Sequence, residues 1–348
     1  MRPFLYDRPA SLSDAVSMAR ADGAMLYAGG TTMLDLMKLG VYRPARVVDI
    51  THLPEPSMRR IAVEGDRLRL GALVSMHEAA ENRDVKTLAP AMSESLWLAA
   101  SQQLRHMATL GGNVMQRTRD PYFRDPAWLE LADAEPAGDT GERGYGMTPY
   151  GDGRLTAIQQ PTRLSAVLGT TDTDTASYPG DWAQSLAAFD ATVEIEGPNG
   201  ARTMPFTDLH IRPADKRSEA DYARLEPGEI ITGFSVPLTP ALKRSIYLKA
   251  RDRESYAFAN ASAAVGLEMD GDTVREVRIG LGGVATVPWR STEAEDALRG
   301  GPLTEETARA AGEAAFRDAV THEHNAFTVP LGINVIAKAL MTLKTMEA

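Results

Sequence analysis

Met25-Leu26-Tyr27-Ala28-Gly29-Gly30-Thr31-Thr32 is the stretch on which the reading of this chain turns. A short apolar run ends in a glycine pair, and two threonines follow. From Thr31 to Leu39 the pattern becomes helical, with Leu36 and Met37 on the apolar stripe and Gly40 as the stop. Upstream, Ser11 to Ala21 reads as a helix. Ser11-Leu12-Ser13-Asp14 resembles a capping box, and Leu12, Ala15, Val16 and Ala19 share one face. Downstream, Ala45-Arg46-Val47-Val48-Asp49-Ile50 reads as a strand. Residues 24–51 therefore form a β-loop-α-β unit with the glycine pair where a helix begins, and a helix start favours an anion.

Thr109-Leu110-Gly111-Gly112-Asn113 repeats that chemistry. Paired glycines let backbone amides approach a ligand closely, and the threonine adds a hydroxyl donor. Each turn alone reads as a surface turn. Taken together, with their flanking elements, the two read as a cradle that closes on one pyrophosphate from two sides. The Gly-x-Gly-x-x-Gly spacing of a Rossmann unit and the Gly-Lys-Ser/Thr of a P-loop are both absent.

The 348 residues suggest two or three domains, at about 100–200 residues each. With 43% hydrophobic and 24% charged residues, the chain has an ordinary globular composition. A net charge of -10 argues against binding nucleic acid or an anionic membrane, which need a positive face. Gln116-Arg117-Thr118-Arg119 is a local basic cluster and a candidate anion site. There is no cysteine. Disulfides, thiolate catalysis and cysteine-held zinc or iron–sulfur clusters are thereby excluded within the chain. Met1 to Asp7 lacks the apolar run of a signal peptide, and no segment reaches the ~20 apolar residues of a membrane helix.

Beyond residue 51 the period changes. Arg60–Glu64 and Arg67–Ala72 alternate around Gly65-Asp66 and predict a hairpin. Ser75–Glu81 and Pro90–Leu104 read as helices, the second leading into the second glycine pair. From Gln116 to about Thr162 no apolar period persists, which predicts a long loop. Order returns at Leu164–Leu168. A short helix follows at Asp181–Phe189, then a hairpin of Thr192–Glu196 with Ala201–Met204, and a strand at Glu229–Val236. A boundary falls near Pro237-Leu238-Thr239-Pro240. Strands at Ser245–Arg251, Ser262–Met269 and Glu276–Gly282 precede helices at 291–299, 304–319 and 331–346, an α+β arrangement. Ile333, Ile336, Leu340 and Leu343 form the stripe of the last helix.

Other motifs weigh less. His322-Glu323-His324 is the one close histidine pair and reads as a solvated loop, and no Gly-x-Ser-x-Gly of a hydrolase occurs. Asp172 and Asp174 read as turn residues. Lys249 interrupts the apolar strand Tyr247-Leu248-Lys249-Ala250. It reads either as an edge-strand lysine facing solvent or as a cation beside an electron-rich ring, where it would favour a reduced, anionic flavin.

These motifs resemble the FAD-binding (medium) subunit of the molybdenum hydroxylases, the group of xanthine dehydrogenase, carbon monoxide dehydrogenase and aldehyde oxidoreductase. The resemblance runs over nearly the whole chain. It is carried by Ala28–Thr32, Ala108–Asn113, Tyr178-Pro179-Gly180-Asp181 and Gly228-Glu229-Ile230-Ile231. Tyr247-Leu248-Lys249 and Gly280–Ala285 continue it. Gln116-Arg117-Thr118-Arg119, followed by Pro121-Tyr122-Phe123-Arg124-Asp125, makes the chain most similar to bacterial aldehyde oxidoreductase medium subunits.

The resemblance implies an α+β fold. A two-part FAD-binding domain of the vanillyl-alcohol-oxidase (PCMH) type would span 1–237, divided into 1–53 and 54–237. A small α+β C-terminal domain would span 241–346. It also implies cofactor contacts. Leu26, Ala28, Gly29, Gly30, Thr31, Thr32 and Leu34 would come from the first turn. Ser101, Thr109, Gly111, Gly112, Asn113 and Gln116 would come from around the second. Asp181 would contact the ribityl or adenosine part, and Ile231 and Lys249 would lie near the flavin ring. No catalytic acid or base is implied in this chain.

The implied role is electron transfer. Electrons would pass from a molybdenum-cofactor large subunit oxidising an aldehyde, through a [2Fe–2S] small subunit, to FAD here and on to an external acceptor. The compartment would be the cytoplasm, or the periplasm if the chain is exported folded with a signal-bearing partner. One departure stands out. In the aldehyde subtype a cysteine often follows Arg-Thr-Arg and, with three more, holds a [4Fe–4S] cluster. Asp120 stands there instead, so no cluster is expected in this chain. The rival readings are a self-contained flavin oxidase or dehydrogenase with its own substrate pocket, and a scaffold subunit that has lost its cofactor.

Overall fold

The computed structural model describes residues 1–121, 123–124, 147–148, 155–156, 163–172, 174–216 and 222–346. At the N-terminus, strands β1 (Leu5–Asp7), β2 (Ala24–Tyr27) and β3 (Arg46–Asp49) form a parallel sheet in the order β1-β3-β2. The expected β-loop-α-β unit is present, with the helix Met33–Leu39 as its crossover. Strand β1 is an addition, pairing Leu5 with Arg46. Three residues are too few to show alternation in sequence. The first helix, Leu12–Ala19, is capped by the Ser11 hydroxyl, which accepts the Asp14 amide at 3.1 Å. Gly40, at φ 82°, ends the crossover helix in the left-handed region.

The second sheet is antiparallel throughout. Strands β4 (Ile61–Glu64) and β5 (Arg67–Gly71) make the first expected hairpin. In the stretch 116–162, read as a loop, β6 (Met147–Thr148) pairs with β7 (Leu155–Thr156). The rest of that stretch beyond Arg124 lies outside the described residues. Strands β8 (Thr192–Gly197) and β9 (Gly200–Pro205) make the second expected hairpin. Strand β10 (Ile230–Pro237) is inserted between the two hairpins, in the order β4-β5-β10-β8-β9. Its Phe234 faces Leu70 on one side and Val193 on the other. The helices Met76–Glu81, Arg83–Leu88 and Pro90–Trp97 share this sheet's core, in which Trp182 meets Phe234 edge-on at 5.1 Å, and the helix Gln102–Met107 lies against Met76–Glu81.

The single helix expected over Pro90–Leu104 is two helices. The first ends at Trp97, and Ala100 takes a left-handed φ of 49°. Ser101 then starts a new helix by accepting the Leu104 amide at 3.3 Å. No glycine or proline marks this break in the sequence, which runs Leu98-Ala99-Ala100-Ser101 across it.

Strands β11 (Ser245–Ala250), β12 (Ala261–Asp270), β13 (Thr273–Gly282) and β14 (Trp289–Arg290) form a third sheet, antiparallel and in sequence order. The helices Thr292–Leu298, Glu305–Ala315 and Thr328–Thr345 follow. A separate core joins them to the sheet, with Ile336, Leu340 and Leu343 fully buried. His322 and His324 lie in the turn before the last helix, where the Asn325 side chain accepts the His322 amide at 2.6 Å.

Two contacts lock the C-terminal sheet to the preceding part. The helix Ala183–Ala188 lies against β13 so closely that a Cβ on Gly280 would sit 2.1 Å from the Gln184 carbonyl oxygen. The helix Pro90–Trp97 lies along β11, the outer strand. There the Tyr247 amide donates to a Glu94 carboxylate oxygen at 2.7 Å.

Candidate functional site

The parallel sheet and the antiparallel β4–β10 sheet meet around a cavity of about 410 Å³. The carboxyl end of β2 delivers Leu26, Ala28, Gly29 and Gly30 to its wall, and the start of the crossover helix adds Thr31 and Thr32. Thr109, Gly111 and Gly112 come from the second glycine turn, and Ile231 from β10. Ten expected site residues are thus brought to one surface.

The glycines explain how. A Cβ on Gly29 would lie 2.1 Å from the Met107 carbonyl oxygen and 2.8 Å from the Ala108 Cα. Gly30, at φ 71°, packs on the Tyr27 ring. Only a bare backbone lets the first turn lie against the residues leading into the second.

The two turns differ in their amides. Those of Gly29 to Thr32 donate to no described backbone acceptor and are left for a ligand. The second turn is a short helix, Leu110–Val114, whose amides are already in use. Leu110 donates to Val74, Gly111 to Ala72 at 2.9 Å, and Gly112 to the Thr109 hydroxyl at 3.2 Å. The second turn therefore supplies shape and a hydroxyl, and the first supplies free donors. The Leu110–Val114 helix is braced from behind. Tyr178 Oη and His210 Nε2 lie 3.0 and 2.9 Å from the Val114 carbonyl oxygen that accepts from them. Burial pushes the His210 pKa down to about 4, so the ring is neutral and donates from Nε2.

The remaining expected residues stand off the cavity wall. Leu34 is half-exposed, one turn into the crossover helix. Ser101 caps Gln102–Met107. Asn113 points its amide nitrogen at Met76 Sδ, 3.4 Å away, and Gln116 donates to the Asn113 carbonyl at 2.9 Å. Asp181 and Lys249 are paired with each other. Lys249 Nζ donates to Asp181 Oδ2 at 2.7 Å and to the Leu98 carbonyl at 3.1 Å, while Tyr247 Oη donates to Asp181 Oδ1 at 2.6 Å.

The Lys249 side chain is 1% exposed, which overturns its solvent-facing reading. Burial raises the Asp181 pKa, and Lys249 and Tyr247 pull it back. Asp174, read as a turn residue, is buried and pairs with Lys216.

Sequence reasoning missed the wall made by Tyr222, Ala223 and Leu225 and the contributions of Tyr42, Ala72 and Met115. Gly228, at φ 90°, was the available signal for the first of these, since it marks a turn just before β10.

The donor set fits a dinucleotide flavin. The cavity is lined largely by apolar side chains, with free amides and three threonine hydroxyls beside its glycines. Residues 2–239 match the family model described as the FAD binding domain in molybdopterin dehydrogenase. Residues 246–340 match the CO dehydrogenase flavoprotein C-terminal domain.

The chain is 34% identical to the aldehyde oxidoreductase FAD-binding subunit PaoB of Escherichia coli strain K12, over 98% of each chain. It is 27% identical to the carbon monoxide dehydrogenase medium chain of Hydrogenophaga pseudoflava, over 90% of this chain and 86% of that one. Among solved structures, the carbon monoxide dehydrogenase of Hydrogenophaga pseudoflava lacking the Mo-pyranopterin moiety superposes with a TM-score of 0.73 at 24% identity. That match covers 99% of both chains. The architecture is the expected one, an FAD-binding domain followed by a CO dehydrogenase flavoprotein C-terminal domain.

Proposed function

This chain belongs to the FAD-binding medium subunits of the molybdenum hydroxylases, and from that membership we propose that it is the electron-transfer subunit of a molybdenum-dependent aldehyde oxidoreductase. Its partners are a large subunit with the molybdenum cofactor and a small subunit with [2Fe–2S] clusters. An external acceptor takes the electrons. The observation that carries this reading is the pairing of the glycine turns at 29–30 and 111–112 on one cavity wall. The full-length likeness to an aldehyde oxidoreductase subunit supports the substrate class.

FAD supplies interconversion between one- and two-electron transfer when bound. This chain's residues bind and orient it. The amides of Gly29 to Thr32 and the Thr31, Thr32 and Thr109 hydroxyls hold the pyrophosphate. Ile231 shields the apolar part, and Leu26 and Ala28 line the approach. Gly111 and Gly112 keep the second turn close. Leu34, Ser101, Asn113 and Gln116 would add contacts from around the two turns, Asp181 would contact the ribityl or adenosine part, and Lys249, paired with Asp181, would lie near the flavin ring. The FAD-binding domain spans 1–237, as 1–53 and 54–237, and the C-terminal domain 241–346. Asp120 and the absence of cysteine leave FAD as the redox group of this chain. No helix among the described residues is long and apolar enough to cross a membrane. The complex works in the cytoplasm, or in the periplasm if exported folded.

Co-purification with its partners, followed by a visible spectrum, tests the reading. Flavin and iron–sulfur absorption together, bleached by an aldehyde in the complex but not in the isolated subunit, is the expected result. Direct reduction of the isolated subunit by a substrate would favour a self-contained oxidase. A colourless subunit would favour a scaffold.

A further inference from the structure

Among the described residues the cavity wall contains no lysine, arginine or histidine, and the one acid among them, Glu229, is tied to Arg202 Nη2 at 2.6 Å. A pyrophosphate brings two negative charges. Free amides at the first turn can solvate them, but the amides of the second turn are spent. An electropositive side chain beside the first turn would complete the cradle formed by the described residues.

Arg119 stands against the first turn from outside. Its Nη2 is 3.5 Å from the Thr32 hydroxyl, and its Nη1 is 3.5 Å from Asp35 Oδ2. Both contacts are at the limit of a hydrogen bond. Its Nε is buried with no hydrogen-bond partner among the described residues. Arg124 holds the same carboxylate far better, with Nη1 at 2.8 Å from Oδ2 and Nη2 at 3.2 Å from Oδ1. One carboxylate therefore faces two guanidiniums, and Arg124 takes both of its oxygens. Phe258, from the loop between β11 and β12, lies 5.1 Å under the Arg119 guanidinium and fixes its plane. Burial, and then the like charge of Arg124, hold the Arg119 pKa below the ordinary arginine value. The group is a charged fork with good geometry for phosphate and weak claims on it from the protein.

We propose that Arg119 is a phosphate-binding residue, which leaves Asp35 to Arg124 and donates to the pyrophosphate of the dinucleotide beside Thr32. The proposal rests on the reading of the cavity as an FAD site. Asp35 is then a competitor for Arg119, not part of the cradle.

Equilibrium binding of FAD to the full chain, stripped of flavin, tests it through the dissociation constant at several salt concentrations. Arg119→Gln should weaken FAD about tenfold or more and flatten the salt dependence, because one ion contact is gone. Arg119→Lys should restore part of the affinity and most of the salt dependence. Asp35→Asn should leave FAD as tight or tighter. If Arg119→Gln binds FAD like the unaltered chain, the assignment falls. If Asp35→Asn loosens FAD as much as Arg119→Gln does, Arg119 only braces the crossover helix, and the assignment also falls. If the unaltered chain takes up no FAD, the reading of the cavity fails, and this inference with it.

Discussion

His210 sits 9% exposed behind the second glycine turn, with its pKa held near 4 against an ordinary 6.5. Between those values the unfolded chain carries a proton there and the folded chain does not. Stability therefore rises with pH through that window and is lost as pH falls from 6.5 toward 4. The full effect is about 3 kcal/mol. Urea unfolding at about pH 7 and about pH 4.5 should show it, and His210→Gln should remove that part of the slope.

The Asp181–Lys249 pair makes a second prediction. Lys249→Met strands a buried carboxylate and should cost about 3–5 kcal/mol. Adding Asp181→Asn should restore much of that loss, read from the denaturant midpoints of the four chains in a double-mutant cycle. The lysine was visible in sequence as a charge in an apolar strand. Its partner was not, because the two are 68 residues apart and on different elements.

At the scale of elements, the β-loop-α-β unit was legible because its signals are local: a cap, a stripe, a glycine stop. Strand β10 was legible as a strand, but its insertion between two hairpins was not, since no local pattern encodes a pairing of Phe234 with Leu70. The same limit hid the Tyr222–Leu225 wall. The break at Ala100 was hidden because no glycine or proline marks it, and it shows only in the left-handed φ of Ala100 and the cap of Ser101. The close approach of the two turns depends on Gly29. Gly29→Ala must push the Met107 carbonyl away, opening the cradle. We expect the purified variant to lose its flavin absorption on gel filtration while a chain altered at an exposed site such as Glu305 keeps it.

At the scale of the whole molecule, two cores are joined through a glycine-lined contact at Gly280 and through the Asp181, Tyr247 and Gln184 cluster. The unaltered chain should unfold in one transition on heating. Gly280→Val drives a side chain into the Gln184 carbonyl, and should split that transition in two, seen by calorimetry.

The outer strand of the C-terminal sheet carries a further consequence. Strand β11 is an edge, and its outward Tyr247 amide is met by a carboxylate from a helix made some 150 residues earlier. On the ribosome, then, the N-terminal half waits with Glu94 in place, and the last sheet to emerge finds its exposed border already covered. A C-terminal half released alone has no such cover. Its bare border is open to recruit a neighbour's strand, so the fragment should self-associate where the intact chain does not.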